Sequence, residues 1–291
     1  MYGAIEAGGT KFVCAVGNSP LDIKEQATFP TETPEKTFQN VLNFFQSFTL
    51  DALGVGSFGP IEIDPASSHY GCIKNTPKQA WKNVDFLGKL KQVYEIPIGW
   101  TTDVNAAALG ESTVGAGKDK TDVLYLTIGT GIGGGMVIDS TFLGGNMHPE
   151  MGHIPVERHP KDSFTGICPY HNNCLEGMAA GPTIKARTGI EGSKVGEAHE
   201  VWDFLAYYIA QALYNYTLTL RPDIIVLGGG VMENSSLLSK IKKELNRMLN
   251  QYVDTPSLDR YLVTPGLNNK SGIIGGLVLA EQVLKQTNPL P

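Results

Sequence analysis

Two stretches of this chain share one design: an apolar run, a glycine–threonine turn and a second apolar run. The first is YGAIEAGGTKFVCAV from Tyr2, and the second is DVLYLTIGTGIGGGMVID from Asp122. Apolar runs bounded by glycine read as strands, and the turn between them closes a hairpin. The copies start about 120 residues apart, which suggests two related halves built on the same opening hairpin.

Around the hairpins, strands alternate with helices, which makes the class α/β. ALGVGSFG and IPIGWTTD read as strands, and VNAAALGESTVGAG as an alanine-rich helix ending at Gly115. A helix is expected through TPEKTFQNVLNFFQSF, where Phe38, Val41, Leu42 and Phe45 recur at helical spacing. A second runs through EAHEVWDFLAYYIAQALYNYTLTL, with Val201, Leu205, Tyr208, Ile209, Ala212, Leu213 and Tyr216 on one face. DIIVLGGGV is a buried strand, and IIGGLVLAEQVL a closing apolar helix. The expected division is an N-terminal α/β domain over 1–117, completed by the C-terminal helix at about 275–291, and a C-terminal α/β domain over 118–274.

At 291 residues the chain is long enough for two domains. Its net charge of -6 and lack of a long basic run argue against nucleic acid as a partner. No stretch approaches the roughly 20 apolar residues of a spanning helix, so no membrane role is expected. The N-terminal residues lack the charged and apolar regions of a signal peptide. Four cysteines are too sparse for a disulfide scaffold and suit a reducing cytoplasm.

GTGIGG at Gly129–Gly134 matches the G-x-G-x-x-G dinucleotide fingerprint in letters alone, because a strand rather than a helix follows it. GGTK lacks the order of a Walker A loop. There remain hairpin turns whose backbone N–H groups, with the hydroxyls of Thr10 and Thr130, can receive an anion. Taken singly, each reads more readily as an ordinary glycine turn, since glycine is the default turn residue. Two in tandem, with LGGGV as a third glycine cluster, favour a nucleotide.

In WTTDVNAAALGE, Asp103 stands where a strand meets a helix, and it reads either as an N-cap or as a general base for a hydroxyl attacking ATP. NTP at Asn75, HPEMGH around Glu150 and CLEG at Glu176 supply an amide and carboxylates suited to a polyhydroxyl ligand, although such residues are commonly solvated. Cys168-x-x-His171-x-x-Cys174, with His153 upstream, makes a Cys₂His₂ set, the composition of a closed structural zinc site. A catalytic zinc would keep one position open, and a redox pair favours C-x-x-C. A metal-free pair of buried cysteines is the alternative. A zinc there would fix Glu150 and Glu176 at one site and do no chemistry itself. His148 is a pocket candidate; Cys14 and Cys72 read as packing residues.

EAGGTK, TDVNAAALGE, IGTGIGGG, HPEMGH, CPYHNNCLEG and LGGGV, in this order, resemble the ROK sugar kinases (repressors, open reading frames, kinases), with the bacterial fructokinase branch as the nearest form. The likeness runs from about Ile5 to Gly276. It implies a two-domain actin-like, ribonuclease-H-like ATPase fold with a zinc-bound loop, and ATP in the cleft. It also implies that Gly8, Gly9, Thr10, Lys11, Thr130 and Gly131 lie near the phosphates, and Pro182, Gly228, Gly229 and Gly230 near the nucleoside. Asn75, Asp103, Glu150, His153 and Glu176 would face the sugar, His153 serving zinc with one ring nitrogen and sugar with the other.

Many relatives carry a C-x-C-G-x-x-G-C zinc loop. The C-x-x-H-x-x-C form here resembles the fructokinase branch and speaks against a typical glucokinase. Glu6 stands where many relatives have Asp, a departure that bears on how magnesium is held. The first strand starts at residue 2, so a repressor's DNA-binding domain is not expected. The resemblance implies an ATP- and magnesium-dependent fructokinase making fructose 6-phosphate, with Asp103 as base, working as a cytoplasmic homodimer. Another hexose as substrate, or a non-catalytic sugar sensor, is the alternative.

Overall fold

The computed structural model describes residues 1–287. The chain opens with β1 (Tyr2–Ala7), β2 (Lys11–Gly17) and β3 (Ile23–Pro30), followed by α1 (Pro34–Phe45), β4 (Ala52–Ser57), α2 (Phe86–Lys91), β5 (Ile98–Thr102) and α3 (Asp103–Val114). It continues through β6 (Asp122–Ile128), β7 (Ile132–Ile138), β8 (Thr141–Phe142), α4 (Leu175–Ala179), α5 (Gly181–Thr188), α6 (Val201–Thr219) and β9 (Ile224–Gly228). α7 (Leu237–Leu249), α8 (Leu258–Tyr261), β10 (Leu262–Val263) and α9 (Ser271–Thr287) complete it. The last residues of the expected 275–291 helix, 288–291, lie outside the described residues.

One sheet has the order β3-β2-β1-β4-β5 and the other β10-β9-β6-β7-β8. β1 pairs antiparallel with β2 and parallel with β4, and β6 pairs parallel with β9. Each sheet thus has three strands consecutive in the chain, then two parallel strands reached through helices, with a helix after the last. The repeated hairpin in the sequence marks a repeated topology.

The final helix of each repeat, α3 and α9, pack together within one compact unit formed by Met1–Asp119, Gly135–Pro149 and the chain from Gly266 onward. Glycine makes the crossing close: a Cβ on Gly275 would collide with the Ala106 carbonyl, and one on Gly110 would come 2.5 Å from the Ser271 carbonyl. The alanine run Ala106, Ala107 and Ala108 is buried for the same reason. On the sheet, Ile273, Ile274 and Leu277 of α9 pack against Ala4, Val13 and Ala15.

The same unit holds an aromatic cluster, with Phe12 and Trp81 ring centres 5.3 Å apart and Phe86 and Trp100 5.2 Å apart. Phe38, Val41 and Phe45 of α1 enter this core, and the Thr33 side chain caps the helix. Both indole N–H groups are satisfied, donating to the Glu32 and Glu62 carbonyls.

The second unit comprises Lys120–Gly134 and Glu150–Pro265. Its centre is α6, and the whole expected apolar face, Val201 through Tyr216, is buried. The Tyr216 hydroxyl donates to the Met151 carbonyl at 2.6 Å, and Tyr208 donates to Asp162, which also pairs with Arg187 at 2.9 Å. Among the described residues no helix is long and apolar enough to cross a membrane.

Candidate active site

The first unit contributes the β1–β2 turn and the start of α3. The Gly8 N–H donates to the Lys11 carbonyl at 3.0 Å, which closes the turn over Gly9 and Thr10. Thr31, just past β3, braces it: its hydroxyl donates to the Gly8 carbonyl at 2.7 Å and its N–H to the Thr10 carbonyl at 2.9 Å. Thr10 and Lys11 are exposed. Lys78 is an addition that no motif signals: its Cε lies 3.4 Å from where a Gly9 Cβ would stand, bringing a second ammonium-bearing chain over the turn.

Asp103 is the first residue of α3, and the capping task falls to Thr102, whose side-chain oxygen accepts the Asn105 N–H at 3.1 Å. Asp103 Oδ1 accepts the neighbouring Val104 N–H at 2.9 Å. A half-buried carboxylate in a first helical turn is favoured by the N–H groups there. Glu6 of β1 feels the Asp103 charge. Burial, with Asp103 adding to it, pushes Glu6 up to about 7, while Lys11 and the Ile273 N–H pull the other way. The Glu6 carboxyl carbon sits 2.6 Å from the Cβ position of Gly272, against the first turn of α9.

Asn75 is exposed on the loop before the Gln79–Trp81 turn. His148 Nε2 lies 3.2 Å from the Ile61 nitrogen and 3.1 Å from its carbonyl oxygen, so this ring is tied to the loop after β4.

In the second unit, Gly129 N–H donates to the Gly131 carbonyl at 2.9 Å, and Gly181 N–H to the Gly129 carbonyl at 2.7 Å. The amino end of α5 therefore abuts the Gly129–Gly131 turn, a favourable place for an anion. A cavity of about 1150 Å³ opens there, gathering Thr130, Pro182 and Gly230 with Trp202 and Val231. The two apolar walls are legible only through the tertiary fold. Gly229 has φ +91, and a side chain there would strike the Ile128 carbonyl; this glycine turns the chain from β9 into the cavity rim. Gly228 is buried at the end of β9 beneath Tyr125.

His153, Cys168, His171 and Cys174 converge, with one ligand atom from each within 4.8 Å of all the others. His153 Nδ1 is 3.8 Å from Cys168 Sγ and 3.5 Å from Cys174 Sγ, and His171 Nδ1 is 3.8 Å from Cys168 Sγ. Tetrahedral zinc, with its bonds of 2.0–2.3 Å, sets neighbouring ligand atoms about 3.3–3.8 Å apart, so the donor set fits. Backbone pairing holds it: Leu175 N–H donates to the Ile154 carbonyl at 2.9 Å and Asn172 N–H to the Cys168 carbonyl at 3.0 Å. Burial pushes the Cys174 thiol up to about 11, so a cation is what would hold this sulfur as a thiolate.

The other His153 nitrogen, Nε2, lies 3.9 Å from Glu176 Oε1. Glu176 Oε2 accepts the Ile132 N–H at 2.9 Å. The exposed Glu150 accepts the His153 N–H at 3.0 Å through its backbone carbonyl.

The sequence profile of the ROK family matches residues 2–283. The chain belongs to the ROK family. A fructokinase of Pediococcus pentosaceus is 47% identical to this ROK chain, over 98% of it and 99% of its relative. A fructokinase of Lactococcus lactis subsp. cremoris is 48% identical over 96% of each chain. The solved structure of a ROK glucokinase from Streptomyces griseus, in complex with glucose and AMPPNP, superposes with a TM-score of 0.76 at 24% identity, over 97% of this chain and 99% of that one. The two repeated halves are thus those of the actin-like, ribonuclease-H-like fold of ROK sugar kinases.

Proposed function

We propose that this ROK protein is an ATP-dependent fructokinase, converting D-fructose and ATP to D-fructose 6-phosphate and ADP. The observation that carries this reading is the 47% and 48% identity, over nearly the whole chain, to two fructokinases.

In this reading Asp103 takes the proton of the sugar's 6-hydroxyl as its oxygen bonds to the γ-phosphorus and the bond to the β-bridging oxygen breaks. The amides and hydroxyls of the two turns, Gly8 to Lys11 and Thr130 to Gly131, receive the charge on the phosphoryl oxygens. Pro182, Gly230 and the Trp202 wall take the nucleoside, with Gly228 and Gly229 shaping the turn behind them. Asn75, Glu150, His153 and Glu176 take sugar hydroxyls. ATP is used as its magnesium complex.

His153, Cys168, His171 and Cys174 would hold zinc, which supplies rigidity to the sugar residues and, with four protein ligands, no open position for chemistry. The protein is read as cytoplasmic, where free thiols suit this donor set, and as a homodimer after its family. A coupled ADP-release assay with Mg-ATP against fructose, mannose, glucose and N-acetylmannosamine tests the proposal. Preference for fructose is expected; activity confined to another hexose would overturn the substrate, and none on any would overturn the kinase.

A further inference from the structure

We infer that Glu176 has a second task besides the sugar: its carboxylate braces the Gly129–Gly131 turn against the metal loop and so positions that turn for the ATP phosphates. The phosphate role of the turn rests on the kinase reading; the bracing rests on geometry.

Glu176 lies in the first turn of α4, whose N-cap is the metal-set residue Cys174, with Cys174 Sγ accepting the Gly177 N–H at 3.4 Å. From there its Oε2 reaches across 44 positions of sequence to the Ile132 N–H at 2.9 Å, the first amide after the turn. Contact continues into the turn itself, since a Cβ on Gly131 would meet Glu176 Oε2 at 2.6 Å. On the opposite side the turn is held by Gly181 N–H on the Gly129 carbonyl at 2.7 Å. The turn is therefore clamped between α4 and the amino end of α5.

The other oxygen, Oε1, faces His153 Nε2 at 3.9 Å, and the Nδ1 of that ring faces both cysteine sulfurs. That separation exceeds a direct hydrogen bond and leaves Oε1 for a ligand hydroxyl. One carboxylate then answers to both substrates, one oxygen to each. If sugar and nucleotide both bias its position, each changes the other's affinity by the same factor.

A residue that merely binds sugar needs no bond to Ile132, which gives the test its discrimination. Glu176→Gln removes the charge but keeps an oxygen that can accept the Ile132 N–H. Glu176→Asp keeps the charge but is one methylene short of it. AMPPNP affinity without sugar, amide hydrogen exchange at Ile132 and the KM for fructose are measured in both. Glu176→Asp is expected to weaken AMPPNP binding at least fivefold and to speed Ile132 exchange at least tenfold. Glu176→Gln should leave both within twofold while raising the fructose KM at least tenfold.

Unchanged AMPPNP binding and exchange in Glu176→Asp, or equal losses in the two variants, would overturn the bracing. Should Glu176→Asp not fold, Gly131→Ala takes its place, since its methyl displaces the carboxylate and should give the same losses; unchanged values there overturn it too. If the unsubstituted protein itself fails to bind AMPPNP, the kinase reading falls, and the Ile132 exchange contrast still decides the bracing.

Discussion

Thr102 and Asp103 divide the work at the start of α3: the Thr102 side chain accepts the Asn105 N–H at 3.1 Å, and Asp103 stands one residue inside with Oδ1 on the Val104 N–H at 2.9 Å. The helix does not rely on Asp103 for its cap, so the two residues should fail differently. Asp103→Asn should lower kcat by about 10³-fold, within the usual range for a general base, with the urea midpoint nearly unchanged. Thr102→Val should cost about 1 kcal/mol of stability, the usual value of a lost cap, with a smaller loss of rate. Paired kcat and urea measurements decide. An Asn variant that turns over normally would remove Asp103 from the chemistry.

Glu6 makes stability depend on pH. Its ordinary value is 4.5, and burial with the nearby Asp103 charge raises it to about 7 in the folded protein. Between these values the unfolded chain has released the proton and the folded chain has not. The contribution is therefore fully present below about pH 4.5 and is lost as pH rises through 7, by up to about 3 kcal/mol. Glu6→Gln keeps a neutral group there at every pH. Its stability advantage over the natural residue should grow by about 2–3 kcal/mol between pH 5 and pH 8, read by urea unfolding. A constant difference across that range would mean that Glu6 titrates normally.

The parts of the fold that were legible are those whose pattern is local. The hairpins, the buried strand β4, the apolar stripe of α6 and the Gly115 end of α3 all follow from periodicity and glycine placement. β3 lacks that signal because it is an edge strand, largely exposed and carrying Lys24 and Glu25. α7 is absent from the expected elements although Leu237, Ile241, Leu245 and Leu249 recur every four residues and are all buried. At the site, the Cys₂His₂ set was legible because its donors are chemically rare and closely spaced. Trp202, Lys78 and Thr102 were not: an indole in a helix stripe, a surface lysine and one of two adjacent threonines become distinctive only when the chain brings their neighbours to them.

The metal set should be load-sensitive in two independent ways. Purified protein is expected to carry about one zinc per chain by elemental analysis. Stripping it leaves the Cys174 sulfur, which burial raises to about 11, to take up a proton at neutral pH. Thermal unfolding should then fall by about 5–10 °C, and the fructose KM should rise about tenfold as His153 loses its anchor. His171→Ala, at the exposed member of the set, should give the same pair of changes without a chelator. Protein that is zinc-free as purified and fully active would end this assignment.

Glu111 shows how far α3 depends on a residue at the opposite end from Asp103. It is fully buried near the carboxyl end of α3, and its carboxylate accepts four hydrogen bonds. Oε2 takes the Ala116 N–H at 2.8 Å and the Gly266 N–H at 3.0 Å; Oε1 takes the Leu267 N–H at 3.1 Å and the Ser271 hydroxyl at 2.6 Å. These donors belong to the end of α3 and the approach to α9, so one side chain fastens the two crossing helices. Glu111→Ala leaves several buried donors without an acceptor and should cost about 3–5 kcal/mol. Glu111→Gln should cost less, because one oxygen is kept, but its amide must face a donor with a donor. At low temperature, where the Gln variant stays folded, kcat should remain within about threefold of normal, since Asp103 lies at the other end of α3, where the Thr102 side chain caps the helix through the Asn105 N–H. Urea unfolding of the two variants, with kcat for the Gln form, reads both effects. A cost below about 1 kcal/mol for Ala would mean that solvent replaces the network and that the helix crossing is held by its glycine and alanine packing alone.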